Sequence, residues 1–184
     1  MGSNPTPPIY EKKMKLSRHI LLAIFILSVV SCSNGGKYVN REANYEIMVP
    51  HGWHVVPHQD LRSVSFTKYS TQKYGNSVIS LRVDSIRFES PMEQLESELL
   101  PAFLAANESE NTSMQVVDGP QTVSINGKSW AMVKCYDGSD KILRIYVTFS
   151  NKNSFAIILF SAGQKRIEDE KIFLTTINSL SIHN

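Results

Sequence analysis

The sequence predicts an α+β fold, an antiparallel β-sheet with helices packed on its faces. Three observations predict it. Runs such as Ile79-Ser80-Leu81-Arg82-Val83 alternate apolar and polar residues with the period of a half-buried strand. Between Val123 and Phe160 three short turn signals join four strand-like runs, the pattern of an antiparallel meander. Two stretches with apolar residues at helical spacing interrupt and follow the strands. At 184 residues, and about 150 residues per domain, the chain has room for one domain.

The elements follow in order from residue 38. Tyr45, Ile47 and Val49 alternate with Glu46 and Met48 until Pro50 and Gly52 end the run. Trp53-His54-Val55-Val56 is a second short strand, stopped by Pro57, and Val64 and Phe66 share one face of a third. A longer fourth carries Ile79, Leu81 and Val83. Its parity then switches to Ile86 and Phe88, which marks a bulge or an end of pairing near Asp84-Ser85. Ser90-Pro91-Met92-Glu93 starts a helix, with Ser at the N-cap, Pro at the first helical position and Glu three residues after the cap. Met92, Leu95, Leu99, Phe103 and Ala106 form its stripe, expected to pack on the domain's own sheet. Pro101 removes a donor inside it, so a kink or a break into two helices is expected there. Asn107 to Ser113 is polar and reads as an exposed connection.

The meander is the most explicit segment. Val123 and Ile125 lead into Asn126-Gly127, a strong two-residue hairpin signal, and Lys128 to Tyr136 returns. Asp137-Gly138-Ser139-Asp140 turns the chain into Ile142–Phe149, and Asn151-Lys152-Asn153 turns it again. Phe155 to Phe160 is apolar on both parities, as a central strand covered on both faces must be. After Gly163, Ile167, Phe173, Leu174 and Ile177 make a rough helical stripe, with Glu170 falling inside it and Ile172 outside. Glu168, Asp169 and Glu170 suit the positive end of that helix.

The first 31 residues read as an address. Lys12, Lys13, Lys15 and Arg18 precede the most apolar run of the chain, Leu21 to Val30. A basic region followed by a short apolar region is a secretory signal peptide. As a helix, Ile20 to Val30 spans about 16 Å, short of the roughly 20 residues a bilayer core requires. Met14-Lys15-Leu16-Ser17-Arg18 is a more natural start, so residues 1–13 read as an over-extended beginning. Without residues 1–31 the remainder holds 15 basic and 16 acidic residues, net −1 against +2 for the whole chain. Such a body has no charge footprint for nucleic acid.

Val29-Val30-Ser31-Cys32 resembles the lipobox of bacterial lipoproteins: branched apolar, short, small, cysteine. The resemblance implies that Cys32 carries diacylglycerol, that cleavage precedes it and that the new amino terminus is acylated. Several chains on one residue suffice for stable anchoring. Ser33, rather than an acid, follows Cys32, which by the same resemblance implies the outer membrane where a cell has one. The organisation is then a leader over residues 1–31, a lipidated cysteine and flexible tether over 32–37, and one domain over 38–184. Cys135 shares strand parity with Ala131 and Val133 and reads as a small buried hydrophobe.

Tyr45-Glu46-Ile47-Met48-Val49-Pro50-His51-Gly52-Trp53, followed by a mid-chain helix, a meander and a late helix, resembles the PsbP-like family over about residues 38–182. The resemblance implies an antiparallel sheet between helices and a role as a non-catalytic binding or assembly factor.

Candidate chemistry is sparse. His51, His54 and His58 lie within eight residues, but His51 and His54 fall on opposite parities among Pro50, Gly52 and Pro57. They read as turn histidines, and no metal is expected on them. Trp53 and Trp130 read as core anchors or as walls of a ligand groove, and in the rival reading the chain is a lipoprotein that binds a small ligand or a metal through Trp53, His54 and His51. No Gly-x-Ser-x-Gly elbow and no phosphate-cradling glycine motif occurs, so no catalysis and no cofactor is expected. The expected partners are the membrane, through the lipid on Cys32, and a protein at the cell envelope.

Overall fold

The computed structural model describes residues 35–68, 77–108, 113–163 and 165–183. The leader over 1–31, Cys32, Ser33 and Asn34 lie outside the described residues. Ten strands are described. β1 (Lys37–Asn40), β2 (Tyr45–Met48) and β10 (Ser181–Ile182) form a three-stranded sheet in the order β1-β2-β10. β3 (His54–Pro57), β4 (Val64–Lys68), β5 (Ser77–Ser85), β6 (Gln115–Ile125), β7 (Lys128–Tyr136), β8 (Lys141–Ser150) and β9 (Asn153–Ala162) form a seven-stranded antiparallel sheet in the order β3-β4-β5-β9-β8-β7-β6. The α+β architecture expected from the sequence is present.

β9 is the fourth of the seven strands, and both its faces are buried. Phe155, Ile157 and Leu159 join one apolar cluster, Ala156 and Ile158 the other. That is why its sequence is apolar on both parities. Asn126 (φ 51°) and Gly127 (φ 72°) close the β6–β7 hairpin, and Asn151 (φ 51°) and Lys152 (φ 65°) close β8–β9. Both are two-residue turns of left-handed residues, the geometry that matches strand twist. Asp137 Oδ1 accepts from the backbone N–H groups of Ser139, Asp140 and Lys141 and so fixes the turn between β7 and β8. β5 pairs regularly with β9 through Ser85, so the parity switch at Ile86 marks the end of pairing.

β6 starts eight residues before Val123. Its register shifts between Val116 and Asp118 and again between Asp118 and Gln121. A Cβ on Gly119 would lie 2.5 Å from Met132 O, so no larger residue fits. β6 is an edge strand, so the irregular Asp118-Gly119-Pro120 disturbs pairing with β7 alone.

Helix α1 (Pro91–Gln94) begins as expected, with Ser90 Oγ accepting from Glu93 N at 3.1 Å. Glu93 Oε2 accepts from Glu89 N, one residue before the cap. A π-helical turn (Leu95–Leu99) follows, closed by Leu100 N to Leu95 O, and α2 (Leu100–Glu108) continues. The helical path therefore runs on past Pro101 without breaking. The wide turn restarts the α-helix at Leu100, which places Pro101 in a first turn where its missing N–H costs nothing. Leu95 and Leu99 are buried on the sheet, with Met92, Leu100, Phe103 and Leu104 packed beside them.

Helix α3 (Arg166–Asn178) corrects the sequence reading. Its inward face is Asp169, Phe173, Thr176 and Ile177, whereas Ile167 is 61% exposed and Leu174 36%. Asp169 is 1% exposed because its carboxylate is fully partnered. Oδ2 accepts from Ser77 Oγ at 2.5 Å and Ser161 Oγ at 2.9 Å, and Oδ1 from Lys68 Nζ at 3.4 Å. Buried charge is tolerated on such terms. α3 and the three-stranded sheet cover one face of the large sheet, and the Pro91–Glu108 segment covers the other. Among the described residues no helix is long and apolar enough to cross a membrane.

Candidate functional site

Trp53, His54 and His51 occupy different settings: a buried ring, the start of a strand and an exposed turn. Trp53 follows Gly52, whose φ of +75° reverses the chain, and its ring is 1% exposed within the larger core cluster. Lys68 Nζ lies 6.0 Å from its centroid, a cation–π arrangement that ties β4 to the turn. His54 opens β3 opposite Thr67, and His51 is exposed in the preceding turn, beside Gly35. His58 Nε2 lies 2.7 Å from Ser65 Oγ. Among the described residues no three His, Cys, Asp or Glu side chains gather where a metal could sit.

Cys135 is 0% exposed beneath the Pro91–Glu108 segment, and burial pushes its thiol up to about 11. It is a packing residue with little thiolate at neutral pH. Cys32 lies outside the described residues.

A groove does form around the second tryptophan. The β6–β7 hairpin supplies Ile125, Asn126, Lys128 and Trp130, and the chain from Ile177 to Ile182 supplies the opposite wall. Together they enclose about 320 Å3. The local sequence explains both walls. The Asn126-Gly127 turn brings the end of β6 and the start of β7 over the C-terminal end of α3, where Asn126 Nδ2 donates to Asn178 O at 2.7 Å. Beyond α3, Ser179 Oγ donates to Thr176 O at 2.6 Å and accepts from Met48 N at 3.0 Å, which turns the chain into β10. β10 pairs with β2 along one edge only.

The groove floor is apolar, with Trp130 2%, Ile177 1% and Leu180 7% exposed. Lys128 is half-buried at the rim, and its Nζ donates to Ser150 Oγ at 3.4 Å. Among the described residues Trp130 Nε1 is closed off from solvent and has no acceptor. Ser179, the hydroxyl nearest to a nucleophile here, already donates to a carbonyl and has no base beside it among the described residues. The arrangement suits binding: apolar walls, a cation and no acid. Trp130 was legible as a groove residue by its type. Lys128 and the Ile177–Ile182 wall were not, because some fifty residues separate them and only the docking of α3 brings them together.

A second polar site lies under the start of α3. Glu170 accepts from Lys134 Nζ at 2.8 Å and from Arg144 at close range, and Arg144 Nη1 donates to Tyr146 Oη at 3.0 Å. Burial raises the Glu170 carboxyl, but the hydrogen bond from Lys134 and the charge of Arg144 outweigh it and hold it below its usual value. The acid and the bases are consumed by each other, so the cluster docks the helix.

No protein-family model matches the sequence, and no curated protein sequence matches it. Solved structures do. The cyanobacterial PsbP protein CyanoP of Synechocystis sp. PCC 6803 superposes with a TM-score of 0.58 at 16% identity, over 85% of this chain and 99% of that one. LpqN, a Mycobacterium tuberculosis protein involved in cell envelope biogenesis, gives 0.52 at 12% identity, over 83% and 87%. A Bacteroides thetaiotaomicron protein gives 0.50 at 15% identity, over 83% of this chain and 50% of that one. Likeness at these identities is likeness of fold. The chain has the PsbP-like fold, an antiparallel sheet covered by helices.

Proposed function

We propose that this chain is an exported lipoprotein whose PsbP-like domain is a non-catalytic binding or assembly factor, held at the cell envelope by lipid on Cys32. The observation that carries the reading is Val29-Val30-Ser31-Cys32 at the end of a basic-then-apolar leader. The position of the fold supports it. β1 begins at Lys37, five residues past Cys32, and Val49 N donates to Gly36 O at 2.7 Å. Five residues reach at most about 18 Å, so the body would stand at the headgroups. There a weak site gains effective concentration toward membrane-bound partners. The fold likeness to LpqN, an envelope-biogenesis protein, supports an extracytoplasmic setting.

Replacing Cys32 with Ala, with labelled fatty acid and cell fractionation, tests the anchor. Label and membrane retention are expected to disappear together. Retention of both in Cys32→Ala rules the anchor out.

A second reading, a lipoprotein that binds a small ligand, is favoured by the groove. Its walls are the β6–β7 hairpin with Trp130 and the C-terminal segment.

A further inference from the structure

The groove beside Trp130 is lined by one cation, Lys128, and by no acid. Lys128 is half-buried, and among the described residues its partner is a neutral hydroxyl at 3.4 Å. A charged acceptor would give Lys128 a charge-assisted hydrogen bond, stronger than the long one to a neutral hydroxyl. None of the lining residues is acidic. The lining therefore carries a positive charge and no negative one.

We propose that this groove binds a small monocarboxylate with an apolar body, its carboxylate at Lys128 and its hydrocarbon or aryl part against Trp130 and Leu180. The class follows by elimination. A divalent cation finds no carboxylate here. A sugar would set many of its hydroxyls against Ile125, Trp130, Ile177, Leu180 and Ile182. A cationic ligand meets Lys128. A carboxylate gains a charge-assisted hydrogen bond, the stronger kind, and an apolar body replaces water on the floor. A volume of about 320 Å3 is at the small end of ligand sites, which suits a molecule of roughly ten heavy atoms.

This inference rests on the binding reading and not on the lipid anchor. The full-length chain in zwitterionic nanodiscs, labelled with 15N, offers two indole N–H signals, one for each tryptophan. Trp130→Phe assigns them. On titration with 3-phenylpropanoate the Trp130 signal is expected to move and saturate. The neutral 3-phenylpropanamide should bind at least tenfold more weakly. Lys128→Met should weaken the acid to the level of the amide, with the unliganded indole signals in place as evidence of an intact fold. No saturable movement of the Trp130 signal, or an equal response to acid and amide, overturns the proposal. Failure of the Cys32→Ala fractionation leaves this result untouched, so the two readings fail separately.

Discussion

The helical segment Pro91–Glu108 and helix α3 cover opposite faces of one sheet, and different physics holds each in place. The first rests Leu95 and Leu99 on Val133, Cys135, Leu143, Ile145 and Ile158. Its main polar contact in the buried layer is a single hydrogen bond, Ser154 Oγ to Gln94 Oε1 at 2.6 Å. Helix α3 is held at its start by carboxylates and further along by Phe173 and Ile177. Asp169 gathers Ser77, Ser161 and Lys68 from three places in the chain, and Glu170 gathers Lys134 and Arg144. The apolar face is non-directional and tolerates sliding. The polar face fixes where along the sheet α3 sits, because each carboxylate oxygen has one geometry that satisfies its donors. That placement in turn forms the groove, whose far wall is the continuation of α3.

The largest effect that separates the two faces comes from truncation. Leu95→Ala removes a 0% exposed side chain from the apolar face, and the transfer and cavity costs predict a loss of about 3 kcal/mol in denaturant unfolding. Asp169→Asn keeps an amide oxygen for Ser77 and Ser161 but turns an N–H2 donor toward Lys68. Lys68 is 27% exposed along its side chain and can turn to water, so the cost should be the smaller, about 1–2 kcal/mol. A larger loss from Asp169→Asn than from Leu95→Ala would break the comparison, since it would make the polar cluster the main source of stability rather than of placement.

Acid sharpens the same contrast. The Glu170 carboxyl is held below its ordinary value of about 4.5. The folded state therefore binds the proton less tightly than the unfolded chain does. Its contribution is complete above about pH 4.5 and is lost as pH falls through the lower folded-state value. Glu170→Gln should flatten the fall of Tm with pH in that acid window and leave the slope above pH 6 unchanged. The group is partly solvated, so the expected difference is below about 1 kcal/mol. Parallel Tm curves for the two proteins below pH 4.5 would show that the cluster adds no acid sensitivity.

The contrast also explains what was legible in the sequence. The apolar face announced itself, because Leu95, Leu99 and Phe103 keep helical spacing behind a Ser-Pro-x-Glu start. The β6–β9 meander was legible because its turns demand left-handed residues, and Asn126-Gly127 supplies them. Helix α3 was recognised, but its face was misjudged. A hydrophobic stripe counts Ile167 and Leu174 inward and an acid outward, whereas a buried Asp169 is stable only with partners far away in sequence, at Ser77 and Lys68. The first half of β6 was hidden by Asp118-Gly119-Pro120, residues that end a central strand but not an edge. The groove depended on the hidden α3 docking, so Trp130 could be named and its neighbours could not.

The smallest test concerns how each helix starts. Ser90 Oγ accepts from Glu93 N, while Lys165, at the equivalent place before α3, makes no side-chain cap. α3 relies instead on Asp169 and Glu170, already bound to the sheet, to hold its first turn. Ser90→Ala should therefore cost about 1 kcal/mol, as loss of a cap does, whereas Lys165→Ala should stay within about 0.5 kcal/mol, as surface changes do. Hydrogen exchange at the amides of the two first turns reads this directly. Protection should fall at Glu93 in Ser90→Ala and hold at Asp169, whose N–H donates to Lys165 O at 2.9 Å, in Lys165→Ala. Loss of protection at Asp169 would mean that the start of α3 depends on its own cap, and that the carboxylate contacts follow from the helix rather than position it.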